Sequence, residues 1–163
     1  MDSPAPEGEI AIDDPRTPDV LALLGHHLDF ANRRSPPEDV HALDVDGLLD
    51  PAVTFFSFRL HSELLAVGAL KQHDAVHGEV KSMHTASAAR RRGIGRTMVD
   101  HLVGVARERG LHRVSLETGS MSAVAPARFL YARAGFEPCE PFADYRPSPN
   151  STFMTLVLRT EPA

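Results

Sequence analysis

Cysteine and tryptophan are almost missing from this sequence: Cys139 is the only cysteine, and there is no tryptophan. A lone cysteine excludes an internal disulfide and any multi-cysteine metal site. Positive charge is not in surplus either. Seventeen Lys and Arg stand against 22 Asp and Glu, a net charge of −5, which argues against a general affinity for nucleic acid or anionic membranes. Long apolar runs are absent. The longest, "LLAVGAL" at 64–70, is far short of the roughly 20 residues that span a bilayer. The start, "MDSPAPEGE", has neither the basic beginning nor the apolar core of a signal peptide, so a cytoplasmic protein is the expectation.

What is present is an ordinary globular composition, with 42% hydrophobic and 24% charged residues over 163 positions. That length fits one domain with a substantial core. Residues 1–8, rich in Pro, Gly and acids, read as a disordered tail, which leaves 9–163 as a single domain. "EIAID" at 9–13 alternates like a strand, and Thr17-Pro18-Asp19 opens a helix running to about Arg34. "SPPEDVHALDVDGLLD" at 35–50 predicts a second, short helix that breaks near Gly47. "TFFSFRL" and "ELLAVGALKQ" flank "HS" as a hairpin, and "GEVKSMHT" at 78–85 follows as another strand. Ile94, Met98, Leu102 and Val105 keep helical spacing until Gly110. "HRVSLET" is a strand, Pro126 opens a helix that Gly135 stops, and "GFEPCE" and "FMTLVLR" close the chain as strands.

Between the strand at 78–85 and the helix at 94 lies "SAARRRGIGRTM". Three arginines beside two glycines at a helix start fit an anion. Orphan amides and the positive end of the helix dipole point there, and Gly93 and Gly95 let the backbone come close. It is not a Walker A loop, because Arg90 stands in the first glycine position and Arg96 replaces the lysine. Nor is it a dinucleotide fingerprint, since Met98 fills the third glycine position and the loop before Gly93 is too long. The nine histidines show no complete ligand set, so no metal is expected.

The pattern Arg90-x-x-Gly93-x-Gly95 resembles the pyrophosphate loop of the GNAT superfamily of N-acetyltransferases. "GEVKSMHT" resembles the family's fourth strand, "HRVSLET" its fifth, and "ARFLYARAGFEP" its L-Y-x-x-x-G-F element; together with "SLETGSM" and "EPFADY" the likeness is greatest to the YsnE-type acetyltransferases. The resemblance covers about residues 9–160 and implies an α/β (α+β) fold. Its sheet is mixed, mostly antiparallel and twisted, with six to seven strands and about four helices, splayed between strands four and five. It implies acetyl-CoA as co-substrate and no metal. The cofactor site would comprise Met83, His84 and Thr85 on the fourth strand and Arg90, Arg91, Arg92, Gly93, Ile94, Gly95, Arg96 and Thr97 in the loop and first helical turn. Tyr131 would protonate the leaving thiolate. Glu79, fourteen residues before Gly93, has the spacing of the strand-four general base of the histone acetyltransferase branch, with His84 and Glu117 as lesser candidates. Some members carry an Asn in the loop after strand five; "GSMSAVAP" has none.

The acceptor implied is a primary amine of a small molecule or peptide, with no nucleic acid or membrane partner and a homodimer as the expected assembly. The acceptor segments "SPPEDVHAL", "TGSM" and "FADYRPSPNS" offer Glu38, Asp39, Ser120 and Asp144, which suits a cationic or polar amine. Two other classes compete. A coenzyme A-binding sensor would keep the loop and lose Tyr131 or the acceptor pocket, while a nucleic-acid module would use the arginine run but lacks aromatic stacking clusters and a helix-turn-helix.

Overall fold

A computed structural model describes residues 7–25, 45–90, 92–120 and 125–158. Seven strands form one sheet in the order β1-β2-β3-β4-β5-β7-β6. They are β1 (Glu9–Ile12), β2 (Val53–Leu60), β3 (Glu63–Gln72), β4 (His77–Thr85), β5 (Arg113–Gly119), β6 (Glu137–Pro138) and β7 (Ser151–Val157). The helices are α1 (18–25), α2 (Val45–Leu48), α3 (Ile94–Glu108) and α4 (Ala125–Arg133). The continuation of α1 to Arg34 and the stretch 35–44 lie outside the described residues. Where the short helix was expected to break, α2 runs through Gly47 and ends one residue later. "GFEPCE" yields only the two-residue β6. Among the described residues no helix is long and apolar enough to cross a membrane.

Strand alternation builds two cores, one on each face of the sheet. Phe55, Val67 and Ala69 join Val20, Leu23, Leu24 and Leu48 of α1 and α2 on one face. Phe56, Phe58, Ala66 and Leu70 join Met98, Val99, Leu102 and Ala106 of α3 on the other. Between Val67 and Ala69, Gly68 lies flush under α3, since a Cβ there would stand 2.9 Å from Met98 Cγ and Met83 Sδ. That close approach fixes the helix directly on β3 and sets the height of the loop that precedes it. Met98 and Leu102 are fully buried, so cutting either to alanine costs about 2–5 kcal/mol.

Local chemistry sets the chain reversals. The β2–β3 turn uses His61 and Ser62 at φ 49° and 71°, the left-handed pair a tight two-residue hairpin requires. Gly110 ends α3 at φ 76°, with Leu111 N–H bonded to Ala106 C=O and Gly110 N–H to Arg107 C=O. Gly135 ends α4 in the same way, with Phe136 N–H on Tyr131 C=O. Both are Schellman caps.

The feature that positions a site is the relation of β4 to β5. They are parallel neighbours for three residue pairs only: His77 with Arg113, Gly78 with Val114 and Glu79 with Ser115. Beyond that, β5 follows β7 out to Gly119 opposite Ser151, while β4 follows β3 out to Thr85 opposite Ala66. A bulge bends β4 as it leaves. Ala69 pairs with Lys81 and Val67 with His84, so Ser82 and Met83 together face Gly68, with Ser82 at φ 56°. The sheet is therefore split by a wedge whose closed end is at Glu79.

Candidate active site

At the open end of the wedge the chain leaves β4 through a 3-10 turn, Ser87–Ala89, whose Ala89 is buried as an anchor. Arg90 and Arg92 follow, both exposed, and Arg91 lies outside the described residues. Gly93 is the N-cap of α3 at φ 77°, with no side-chain cap on the helix. The first-turn amides of a 15-residue helix thus open onto the mouth of the wedge with no side chain to satisfy them. A Cβ on Gly95 would sit 2.9 Å from Leu130 Cδ1 and 3.5 Å from Thr85 Oγ1. Glycine there lets the end of β4, the start of α3 and helix α4 meet at one point.

The other residues expected in this loop divide by role. Ile94 is buried in the core and presents only its backbone to the mouth. Arg96 is turned along the helix, bonded to Asp100 at 3.0 Å and to the Arg133 carbonyl at 3.3 Å, and so ties α3 to the end of α4. Thr97 donates its hydroxyl to the Gly93 carbonyl at 2.9 Å. On β4, Met83 is partly buried against the main core, while His84 and Thr85 lie opposite Val67 and Ala66. Because the β4–β5 ladder stops at Glu79, β5-facing main-chain groups in this half of β4 have no ladder partner.

Tyr131, on α4 beside Leu130, belongs to the same core cluster as Met83 and Ile94 and lies edge-on to Phe136, ring centroids 5.9 Å apart. Burial pushes its phenol well above the ordinary tyrosine range, so the hydroxyl keeps its proton at neutral pH. No group among the described residues hydrogen-bonds that hydroxyl.

The closed end is different in kind. Glu79 is 2% exposed and held by three side chains. Its Oε2 accepts from the Tyr145 hydroxyl at 2.6 Å and from Lys81 Nζ at 3.1 Å, and its Oε1 lies 2.7 Å from His73 Nε2. Lys81 also donates to the Tyr145 hydroxyl at 2.7 Å. Tyr145 is pushed above its usual range, by burial first and then by the Glu79 charge. One step further in, His77 Nε2 meets Ser115 Oγ at 2.8 Å, and that oxygen meets Thr155 Oγ1 at 2.9 Å. Burial, and then the Arg113 charge, push His77 below the ordinary histidine range. Phe142 packs edge-on against Tyr145 and Phe153, which tilt against each other, with ring centroids 5.1–5.9 Å apart, and the three hold the loop after β6 over this end of the sheet. Under the loop lies a cavity of about 740 Å³ lined by Lys71, His73, Glu79, Lys81 and residues 143–150.

Glu79 thus stands at the apex of the wedge, and Tyr131 is buried on the helix beside its mouth. The sequence reading missed His73, Lys81 and Tyr145. His73, one of the nine histidines, bonds Glu79. The alternation Glu79-x-Lys81 places both on one strand face and was the available signal for Lys81. Of the expected acceptor residues, Asp144 lines the cavity, Ser120 bonds Thr152 at 2.9 Å, and Glu38 and Asp39 lie outside the described residues.

A split seven-stranded sheet with an uncapped, arginine-flanked helix start at its mouth defines an acyltransferase of the GNAT type. The acetyltransferase (GNAT) family model matches residues 21–136, and the chain belongs to that family. It is 47% identical over 149 residues to the uncharacterized N-acetyltransferase YsnE of Bacillus subtilis (strain 168), covering 91% of this chain and 99% of that protein. Among solved structures, an acyl-CoA N-acyltransferase of Klebsiella pneumoniae superposes with a TM-score of 0.73 at 27% identity, over 93% of this chain and 98% of that one. A GNAT acetyltransferase of Elizabethkingia anophelis, solved with acetyl-CoA bound, shares the fold at TM-score 0.68 and 18% identity, over 93% and 98% of the two chains. The expected fold, the splay after the fourth strand and the acetyltransferase class are what the molecule has.

Proposed function

We propose that this acetyltransferase moves the acetyl group of acetyl-CoA to a primary amine of a small molecule or peptide by direct attack. The observation that carries the reading is the wedge, with free amides at its mouth and a buried carboxylate at its apex. Arg90, Arg92 and the amides of 93–96 suit the pyrophosphate, with Gly93 and Gly95 giving close access. The open half of β4, Met83 to Thr85, offers main-chain groups to an extended arm lying where β5 would otherwise pair. One of its amides is an oxyanion donor for the thioester carbonyl.

An alkylamine arrives protonated at neutral pH, since its pKa is near ~10. Glu79 is the proposed base. An ionised carboxylate has about four acceptor sites, and its three donors leave one for the amine proton. His73, 19% exposed, joins Glu79 to the surface. The amine nitrogen bonds to the acetyl carbon, the carbon–sulfur bond breaks, Tyr131 gives its proton to the departing thiolate, and the second proton lost by the nitrogen returns to Tyr131 through solvent while Glu79 releases the first.

Thiol release from acetyl-CoA, measured over a broad panel of amines, amino acids and peptides, tests the proposal. Turnover with at least one amine, and N-acetylated product by mass spectrometry, is expected. Tight coenzyme A binding with no amine acetylated would contradict it and return the chain to the sensor reading.

A further inference from the structure

The cavity at the closed end carries a charge pattern that amine acetylation alone does not call for. Lys71 is directly opposite Glu79 across β3 and β4, and Lys81 stands two residues along, so all three share one sheet face. Glu79 and Lys81 neutralise each other at 3.1 Å with Tyr145 between them. Lys71 is left over. It is half-buried, lines the cavity, and has no side-chain hydrogen bond or ion pair among the described residues. At the rim, Arg146 is exposed and has no carboxylate partner among the described residues. A partly desolvated ammonium without a counter-ion lowers its free energy by taking an anion from solution. Asp144 at the rim and Glu79 within limit how much negative charge fits, which favours a single carboxylate over a dianionic phosphate. The guanidinium fork of Arg146 matches the same group.

We infer that the acceptor carries a carboxylate beside its amine, as an amino acid does, with Lys71 and Arg146 receiving the carboxylate and the amine turned to Glu79. This rests on the cavity being the acceptor end of the proposed transfer. It shifts the emphasis of the sequence, where the acidic segments suit a cationic or polar amine. In the folded chain, the acid at the apex is already paired and the unpaired charges on the cavity wall include cations.

The test separates binding from chemistry. Calorimetry in the presence of coenzyme A would compare N-acetyl derivatives of the common amino acids with their carboxamides, in wild type, Lys71→Gln, Lys71→Arg and Arg146→Gln. At least one acid should bind about ten- to a hundredfold tighter than its amide, the range set by one charged hydrogen bond. Lys71→Gln should narrow that ratio, Arg146→Gln should narrow it less, and Lys71→Arg should keep most of it. No acid bettering its amide, or a ratio unmoved by Lys71→Gln in a folded variant, overturns the inference. The readout stands apart from turnover. Acid-selective binding without acetyl transfer would keep this inference and sink the proposed reaction, whereas turnover of amines with no acid preference would do the reverse.

Discussion

The two halves of β4 are one strand of nine residues with opposite chemistry. From His77 to Lys81, the β3 ladder, the β5 ladder as far as Glu79 and side-chain bonds leave little unsatisfied: His77, Glu79 and Lys81 are each held by named partners. From Ser82 to Thr85 the strand is bulged and off the β5 ladder, and it leads into a helix with an uncapped start. A folded chain does not leave main-chain groups without partners unless something else completes them. The saturated half is built to hold charges in place, and the open half is built to be filled. In the proposed reaction, proton handling falls to the apex and the cofactor to the mouth.

Glu79→Gln attacks the saturated half and should have the largest effect. The amide keeps acceptor and donor atoms for Lys81, Tyr145 and His73 but cannot take a proton. Coenzyme A affinity should be unchanged, and kcat/KM near neutral pH should fall by about 10²–10⁴-fold. Activity should recover partly as rising pH frees the amine, and a pH–rate profile overlaying that of wild type would remove Glu79 from the role. Tyr131→Phe probes the junction of the two halves. It deletes a hydroxyl with no partner among the described residues, so stability should hold while kcat falls by about 10²-fold, provided single-turnover measurements show chemistry to be limiting. An unchanged kcat would return Tyr131 to the core.

The open half answers to a smaller change. Arg92→Ala should weaken coenzyme A by about ten- to a hundredfold in calorimetry, the scale of one charge-assisted bond, and added salt should weaken wild type more than the variant. Arg96→Ala, whose guanidinium is spent on Asp100 and Arg133, should weaken it less. Equal losses would mean that bulk positive charge rather than geometry binds the anion. Gly93→Val is a poor probe, because φ of 77° makes valine strained before any ligand is considered.

How these residues read beforehand follows from the range of the interactions. Strand alternation, helix periodicity and the glycine caps act within a few residues, so β2 to β5, α3 and α4 were legible, as was the splay through its ordered motifs. The apex was only half legible. Glu79 could be picked out by its spacing, but Tyr145 lies 66 positions later and meets it only through the packing of Phe142 and Phe153. Arg96 reads as part of an anion site because sequence shows a charge but not its direction; in the folded chain its guanidinium bonds Asp100 one turn along and the carbonyl of the distant Arg133.

The smallest effect concerns stability and sharpens the saturated half alone. Burial, and then the charge of Arg113, hold His77 below the usual 6.5, so the unfolded chain binds more protons in acid than the folded one does. Stability should therefore fall as pH drops from about 6.5 through the folded value, then level off for this group. The melting temperature should drop by a few degrees over that window, and His77→Gln, though less stable overall, should show a shallower drop. A slope unaffected by the substitution would place the acid sensitivity elsewhere.

Amide hydrogen exchange with and without coenzyme A tests the division of β4 most directly, because it reads main-chain hydrogen bonds residue by residue. Added coenzyme A should slow exchange at 82–85 and 93–96 and leave 77–79, the stretch paired with β5, almost unchanged. Protection appearing at 77–79 with none in the open half or at the start of α3 would contradict the account.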